Sequence, residues 1–106
     1  MNKITPVAQM TVLTLDEWKQ KAISLFGEDH AKWRFACAHC GESQTLQEFI
    51  DAGIENPGNK FYFSCIGRWI KGRGCDWTLG GLFQIHKTEV KSEEGKNIPV
   101  FEFFNP

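Results

Sequence analysis

Hydrophobic positions follow a helical period in the first quarter of the chain and again near its middle, and a two-residue period over much of the rest. Leu15, Trp18, Ala22, Leu25 and Phe26 share one helical face, and Thr14 with Glu17 has capping-box spacing ahead of them. Gly27 is placed to stop the element, so the pattern predicts a helix over 15–26 with Trp18 and Phe26 as core anchors. Thr45 and Glu48 repeat the capping spacing. Leu46, Phe49 and Ile50 follow as an apolar face and Gly53 as a stop, which predicts a second helix over 45–52. Between the helices, Trp33, Phe35 and Cys37 alternate with Arg34 and Ala36 as a half-buried strand does. After the turn residues Asn56-Pro57-Gly58-Asn59, Phe61, Phe63 and Cys65 alternate with Tyr62 and Ser64 and predict another strand.

Alternation is imperfect from Trp77 to Lys91, where the pair Gly80-Gly81 predicts a bulge or a close backbone approach. The polar run Ser92 to Asn97, with Gly95, predicts a hairpin turn. Ile98 to Phe104 is then the returning strand, held to a sheet edge by Pro99. Residues 1–13 read as an N-terminal arm or a first edge strand, and 14–106 as a single domain. The expected class is α+β: a small antiparallel sheet with two short helices.

Composition narrows the setting. With 106 residues, 42% apolar and 13% aromatic, the chain has the length of one domain and the means to bury a modest core. No apolar run approaches the roughly 20 residues that span a bilayer. The first eighteen residues lack the continuous apolar stretch and small-residue cleavage site of a secretory leader, so a cytoplasmic location is expected. In a reducing cytosol, four cysteines in two pairs argue for metal before disulfides.

The pairs are Cys37-x2-Cys40, followed by Gly41, and Cys65-x9-Cys75, with Gly67, Gly72 and Gly74 making the longer loop pliable. Two thiolates two residues apart chelate one ion when the chain turns tightly, and four soft ligands in a small domain point to one structural Zn²⁺. The expected architecture is therefore zinc-ribbon-like. His39 lies inside the first pair and His86 beyond the second; with four sulfurs filling the shell, both are expected outside it. A redox reading of Cys37-Ala38-His39-Cys40 lacks the immediately following helix that would activate a thiol, and it leaves Cys65 and Cys75 unexplained. Disulfides in a secreted domain are the other rival, weakened by the missing leader. No H-E-x-x-H, deaminase signature, phosphate-binding glycine loop or nucleophile elbow is present, so no enzymatic activity is expected.

Charge adds a local feature. The total is −1, yet Arg68, Lys71 and Arg73 stand between Cys65 and Cys75 without an acid. Those cations offset the charge of a four-thiolate site, and Trp77 shields it. Together with Lys60, Tyr62 and Trp69 they also make a candidate binding surface. Arginine and an outward tryptophan serve as protein-interface hot spots, whereas cations among aromatics also suit single-stranded nucleic acid. The apolar strand 98–104 reads as core or edge, and an exposed edge allows either a monomer or an edge-paired homodimer.

Two resemblances extend this reading. The order C-x-x-C-G, an aromatic strand ending in cysteine, and C-x-W-T over Cys37–Thr78 resembles the C-terminal zinc ribbons of bacterial type IA topoisomerases. It departs from them by a longer loop between the last two cysteines and an inserted helix. That similarity implies aromatic stacking on single-stranded DNA. The segments Phe63-x-Cys65-x-Gly67-Arg68 and Cys75-x-Trp77-Thr78-Leu79-Gly80-Gly81-Leu82-Phe83-Gln84-x-His86, with the preceding C-x-x-C-G, more closely resemble a family of short zinc-ribbon-like proteins of phages, prophages and plasmids. That likeness implies a module that binds a host protein complex, such as a CRISPR effector, in the host cytosol.

Overall fold

The computed structural model describes residues 10–80 and 84–104. Strand β1 (Thr11–Thr14) runs directly into helix α1 (Leu15–Phe26). Thr14 is the N-cap: its hydroxyl accepts from Glu17 N–H and the Glu17 carboxylate accepts from Thr14 N–H, so the expected capping box is present. Gly27 closes the helix by donating its N–H to Ile23 O. Strands β2 (Arg34–Ala36) and β3 (Ser43–Thr45) form a hairpin, and α2 (Leu46–Asp51) leaves β3 through a second capping box between Thr45 and Glu48. Strands β4 (Thr88–Lys91), β5 (Asn97–Val100) and β6 (Glu102–Phe103) complete the chain.

The class is α+β, with the strands divided between two three-stranded sheets. One has the order β1-β4-β5, with β1 parallel to β4 and β5 antiparallel; the other has the order β3-β2-β6 and is antiparallel. Residues 11–13 thus lie in an edge strand, and residues 1–9 fall outside the described part. Pro99 stands in β5, at the other edge of that sheet, where a missing N–H costs no ladder bond.

Two sequence expectations need correction. The returning segment 98–104 is not one strand but splits at Phe101, which is buried and gives its N–H to Tyr62 O instead of a sheet partner. β5 therefore serves the first sheet and β6 the second, joined by two adjacent core residues, Val100 and Phe101. Phe61 to Cys65 is not a strand either. Asn56 adopts the left-handed conformation (φ 49°) before Pro57, and the chain coils, with Phe63 and Ser64 both donating to Lys60 O. Its remaining sheet character is a single bridge from Ser64 to Thr78. The residues turned inward there are Phe61, Ser64 and Cys65, not the alternating Phe61, Phe63 and Cys65 of the expected strand. The expected bulge falls partly on Gly81, outside the described residues, as do Leu82 and Phe83.

Trp18 centres the core. Its ring lies 6.0 Å from Trp33, 5.9 Å from both Phe35 and Tyr62, and 6.0 Å from Phe103. Helix α1 thereby packs on the β3-β2-β6 sheet through Phe35 and Phe103. Among the described residues no helix is long and apolar enough to cross a membrane.

Candidate metal centre

The first cysteine pair occupies the loop of the β2–β3 hairpin. Ala36 pairs with Ser43, Cys37 N–H donates to Glu42 O at 2.9 Å, and Gly41 N–H returns to Cys37 O at 3.0 Å. That turn needs the positive φ of Gly41 (83°), which a side chain would strain. The second pair closes a longer loop by the same device. Cys65 N–H donates to Trp77 O and Leu79 N–H to Phe63 O, both at 2.9 Å, while the Ser64 and Thr78 hydroxyls meet at 2.7 Å.

Gly67 and Gly74 let this loop fold tightly enough to present both thiols. A Cβ on Gly67 would run into the backbone of Arg73 and Cys75; one on Gly74 would stand 2.6 Å from Cys65 Sγ. Neither obstacle is a flexible side-chain end.

All four sulfurs come within 4.8 Å of one another, with Cys37 to Cys75 at 3.7 Å and Cys40 to Cys65 at 3.8 Å. A tetrahedral ion with metal–sulfur bonds of about 2.3 Å sets its sulfurs about 3.8 Å apart. A disulfide would require about 2.05 Å. The donor set therefore fits a metal ion, with each close contact joining one cysteine from each loop. Among the described residues no other group of three or more His, Cys, Asp or Glu converges in this way.

Each sulfur also receives a backbone N–H: His39 to Cys37 at 3.4 Å, Glu42 to Cys40 at 3.5 Å, Cys75 to Cys65 at 3.3 Å and Trp77 to Cys75 at 3.4 Å. These bonds stabilise thiolate charge. Burial opposes them. It pushes the Cys37 and Cys75 thiols above the ordinary range, more than the N–H donors can offset. At the more open Cys40, burial also raises the thiol, but the Glu42 N–H and neighbouring sulfur groups outweigh it and the net shift is downward. Cys65 and Cys37 are buried, Cys75 half-buried and Cys40 exposed, so the cluster faces solvent on the Cys40 side.

Both neighbouring histidines have other work. His39 stacks on Trp77 with centroids 4.6 Å apart and planes 9° from parallel, tying the first loop to the residues just after the second. His86 is buried and its Nε2 meets Glu89 Oε2 at 2.8 Å.

The six residues of the proposed binding surface do not form one face. Arg73 turns back into the fold, with Nε on Glu42 at 2.7 Å and Nη2 on Ser43 O at 2.9 Å and on Glu48 at 3.2 Å. Burial lowers its pKa, but those two carboxylates outweigh it and raise it further. Arg73 therefore clasps the second loop to β3 and α2, and its charge is spent internally. Tyr62 packs edge-on against Trp18, away from the metal loops, with its phenol pKa raised by burial. Lys60, Arg68 and Trp69 do gather. Trp69 is 41% exposed and rests against Phe49, with Lys60 Nζ 5.4 Å and Arg68 Cζ 5.8 Å from its ring centroid. Arg68 also donates to Asp76 O at 3.0 Å and Lys60 to Glu55 O, while Lys71 is exposed nearby in sequence.

Gln44 is the residue that sequence reasoning missed. It is wholly buried in β3. Its Nε2 donates to Phe61 O and Ser64 O, and its Oε1 accepts from Ile66 N–H, all at 2.8 Å. One amide thus satisfies three backbone groups on either side of Cys65 and fixes that sulfur relative to the first loop. Ser43-Gln44-Thr45 is polar throughout, so no pattern marks Gln44 as an inward residue.

Fold and site together define a small α+β protein with a cluster of four cysteines, held between two hairpin-like loops, that could hold a metal ion. The chain belongs to the VVA0879-like family, whose family model matches residues 14–104. No curated protein matches the chain significantly. No solved structure does so either.

Proposed function

We propose that this chain is a non-enzymatic binding module built around one structural Zn²⁺ and acting through contact with a protein partner. The observation that carries the reading is the four-sulfur cluster, with contacts of 3.7 and 3.8 Å between loops far apart in sequence. Four thiolates favour Zn²⁺ among common divalent ions and fill its tetrahedral shell, leaving no open position for a reacting water. Bound there, the ion would supply cross-linking of the two loops, and Cys37, Cys40, Cys65 and Cys75 would hold it.

Trp69 supports the protein-binding half of the reading. An exposed tryptophan flanked by arginine and lysine has the composition of an interface anchor. Two features favour protein over single-stranded nucleic acid. Lys60 and Arg68 lie over the Trp69 ring, where a base would stack, and Arg73 is engaged by two carboxylates. The resemblance to phage and plasmid proteins, read from the sequence motifs at 63–68 and 75–86 alone, is the ground for naming a host-cell complex, including a defence complex, as the partner.

Affinity capture from host lysate tests this, using the wild type beside Trp69→Ala and Arg68→Ala variants of unchanged metal content. The expected outcome is one protein complex retained by the wild type and lost with Trp69→Ala. Tight binding of single-stranded DNA or RNA that weakens steeply with salt would overturn it.

A further inference from the structure

Away from the metal loops, a cavity of 440 Å³ opens between α1 and the β4–β5 hairpin. Trp18, Tyr62, Val90 and Val100 line it with Leu15 and Ile98. Its size suits one large apolar side chain with part of the backbone that carries it. The rim is charged unevenly. Glu93 and Glu94 border the opening from the hairpin turn, Asp16 adjoins it through a smaller hollow, and Lys19 is the lone cation among these lining groups. Asp16, Lys19, Glu93 and Glu94 are all exposed.

We infer that this cavity is a second docking site, which takes a leucine, phenylalanine or tryptophan of a partner segment whose flanking residues are lysine or arginine. Apolar walls provide the driving force through burial of the inserted side chain. The acidic rim selects the flanks, since acidic neighbours of the insert would meet Glu93 and Glu94 at close range and cations would be attracted. This inference rests on the reading that the chain acts by binding a protein, but uses a surface distinct from Trp69.

A random heptapeptide display library panned against the full metal-loaded chain tests it, with Glu93→Lys/Glu94→Lys and Trp69→Ala variants in parallel. Both glutamates are exposed turn residues, so the double variant is expected to fold, which its metal content and circular dichroism check. Expected are enriched peptides with one large apolar residue between basic ones. The best synthetic peptide should shift the Trp18 indole resonance, bind the double variant at least tenfold more weakly, and bind Trp69→Ala unchanged. Absence of enrichment, acidic or uncharged flanks, or affinity indifferent to Glu93→Lys/Glu94→Lys overturns the proposal. Binding lost with Trp69→Ala but kept by the double variant overturns it too, while supporting the Trp69 surface.

Discussion

Replacing Gln44 with leucine keeps most of the side-chain volume but removes every hydrogen bond that the amide makes. Phe61 O, Ser64 O and Ile66 N–H would then be left without their partner in the interior, beside the buried Cys65. An orphaned buried group costs about 1–3 kcal/mol, so three cost about 3–9 kcal/mol. Leucine recovers about 1–2 kcal/mol by burying carbon in place of an amide. The net loss is at least about 1 kcal/mol, an appreciable share of the roughly 5–15 kcal/mol that stabilises a typical domain. Because metal binding and folding are linked, that loss should also appear as apparent metal affinity weakened at least about fivefold. Gln44→Ala provides the contrast. Its smaller side chain leaves room for a water that can serve the same backbone groups, so it should cost no more than leucine despite removing more volume. Urea unfolding of the metal-loaded proteins and chelator competition measure both effects. A Gln44→Leu variant within about 0.5 kcal/mol of wild type would refute the claim that this amide holds the Cys65 loop, since even a single orphaned group costs more.

Gly67→Ala should prevent the second loop from closing, because its Cβ would press on the backbone of Arg73 and Cys75. The Co²⁺-substituted variant should lose the intense charge-transfer and visible bands of a four-thiolate site. Arg73→Ala removes two ion pairs and a bond to Ser43 O, all partly exposed, and should cost about 1–2 kcal/mol in thermal unfolding. That difference should shrink at high salt, which screens the wild-type pairs. Burial raises the Cys37 and Cys75 thiols, which favours their protonated form at neutral pH, so metal binding must expel those protons. Apparent affinity should therefore rise with pH below the raised pKa values and fall on acidification, as chelator titrations between pH 5.5 and 8 (about the neutral range) would show. A pH-independent affinity would contradict the assignment.

Local signals in the chain were legible where local physics decides the outcome. Both helices begin at their capping boxes because Thr14/Glu17 and Thr45/Glu48 satisfy backbone donors within four residues. The short cysteine pair likewise reads directly as a turn, since Gly41 lies within the same hairpin loop. What sequence did not reveal depends on distant partners. Phe101 breaks a strand to reach Tyr62 O, Gln44 looks polar yet fastens three backbone groups, and Arg73 looks free until Glu42 and Glu48 meet it. Alternation at Phe61–Cys65 predicted a strand, but the coil turns Phe61, Ser64 and Cys65 inward, a spacing that its hydrophobic pattern does not show. Lys60, Arg68 and Trp69 do gather, but Tyr62 lines a different cavity.

Metal stoichiometry is the most direct test of the central claim. The protein, purified without added metal, should contain one Zn²⁺ per chain by elemental analysis. Titrating its thiols with a mercurial reagent should release that ion, and all four of Cys37, Cys40, Cys65 and Cys75 should react as thiols. Unfolding on removal of the ion would complete the expected result. A folded chain without metal, or one whose cysteines prove to be joined as disulfides, would contradict the account.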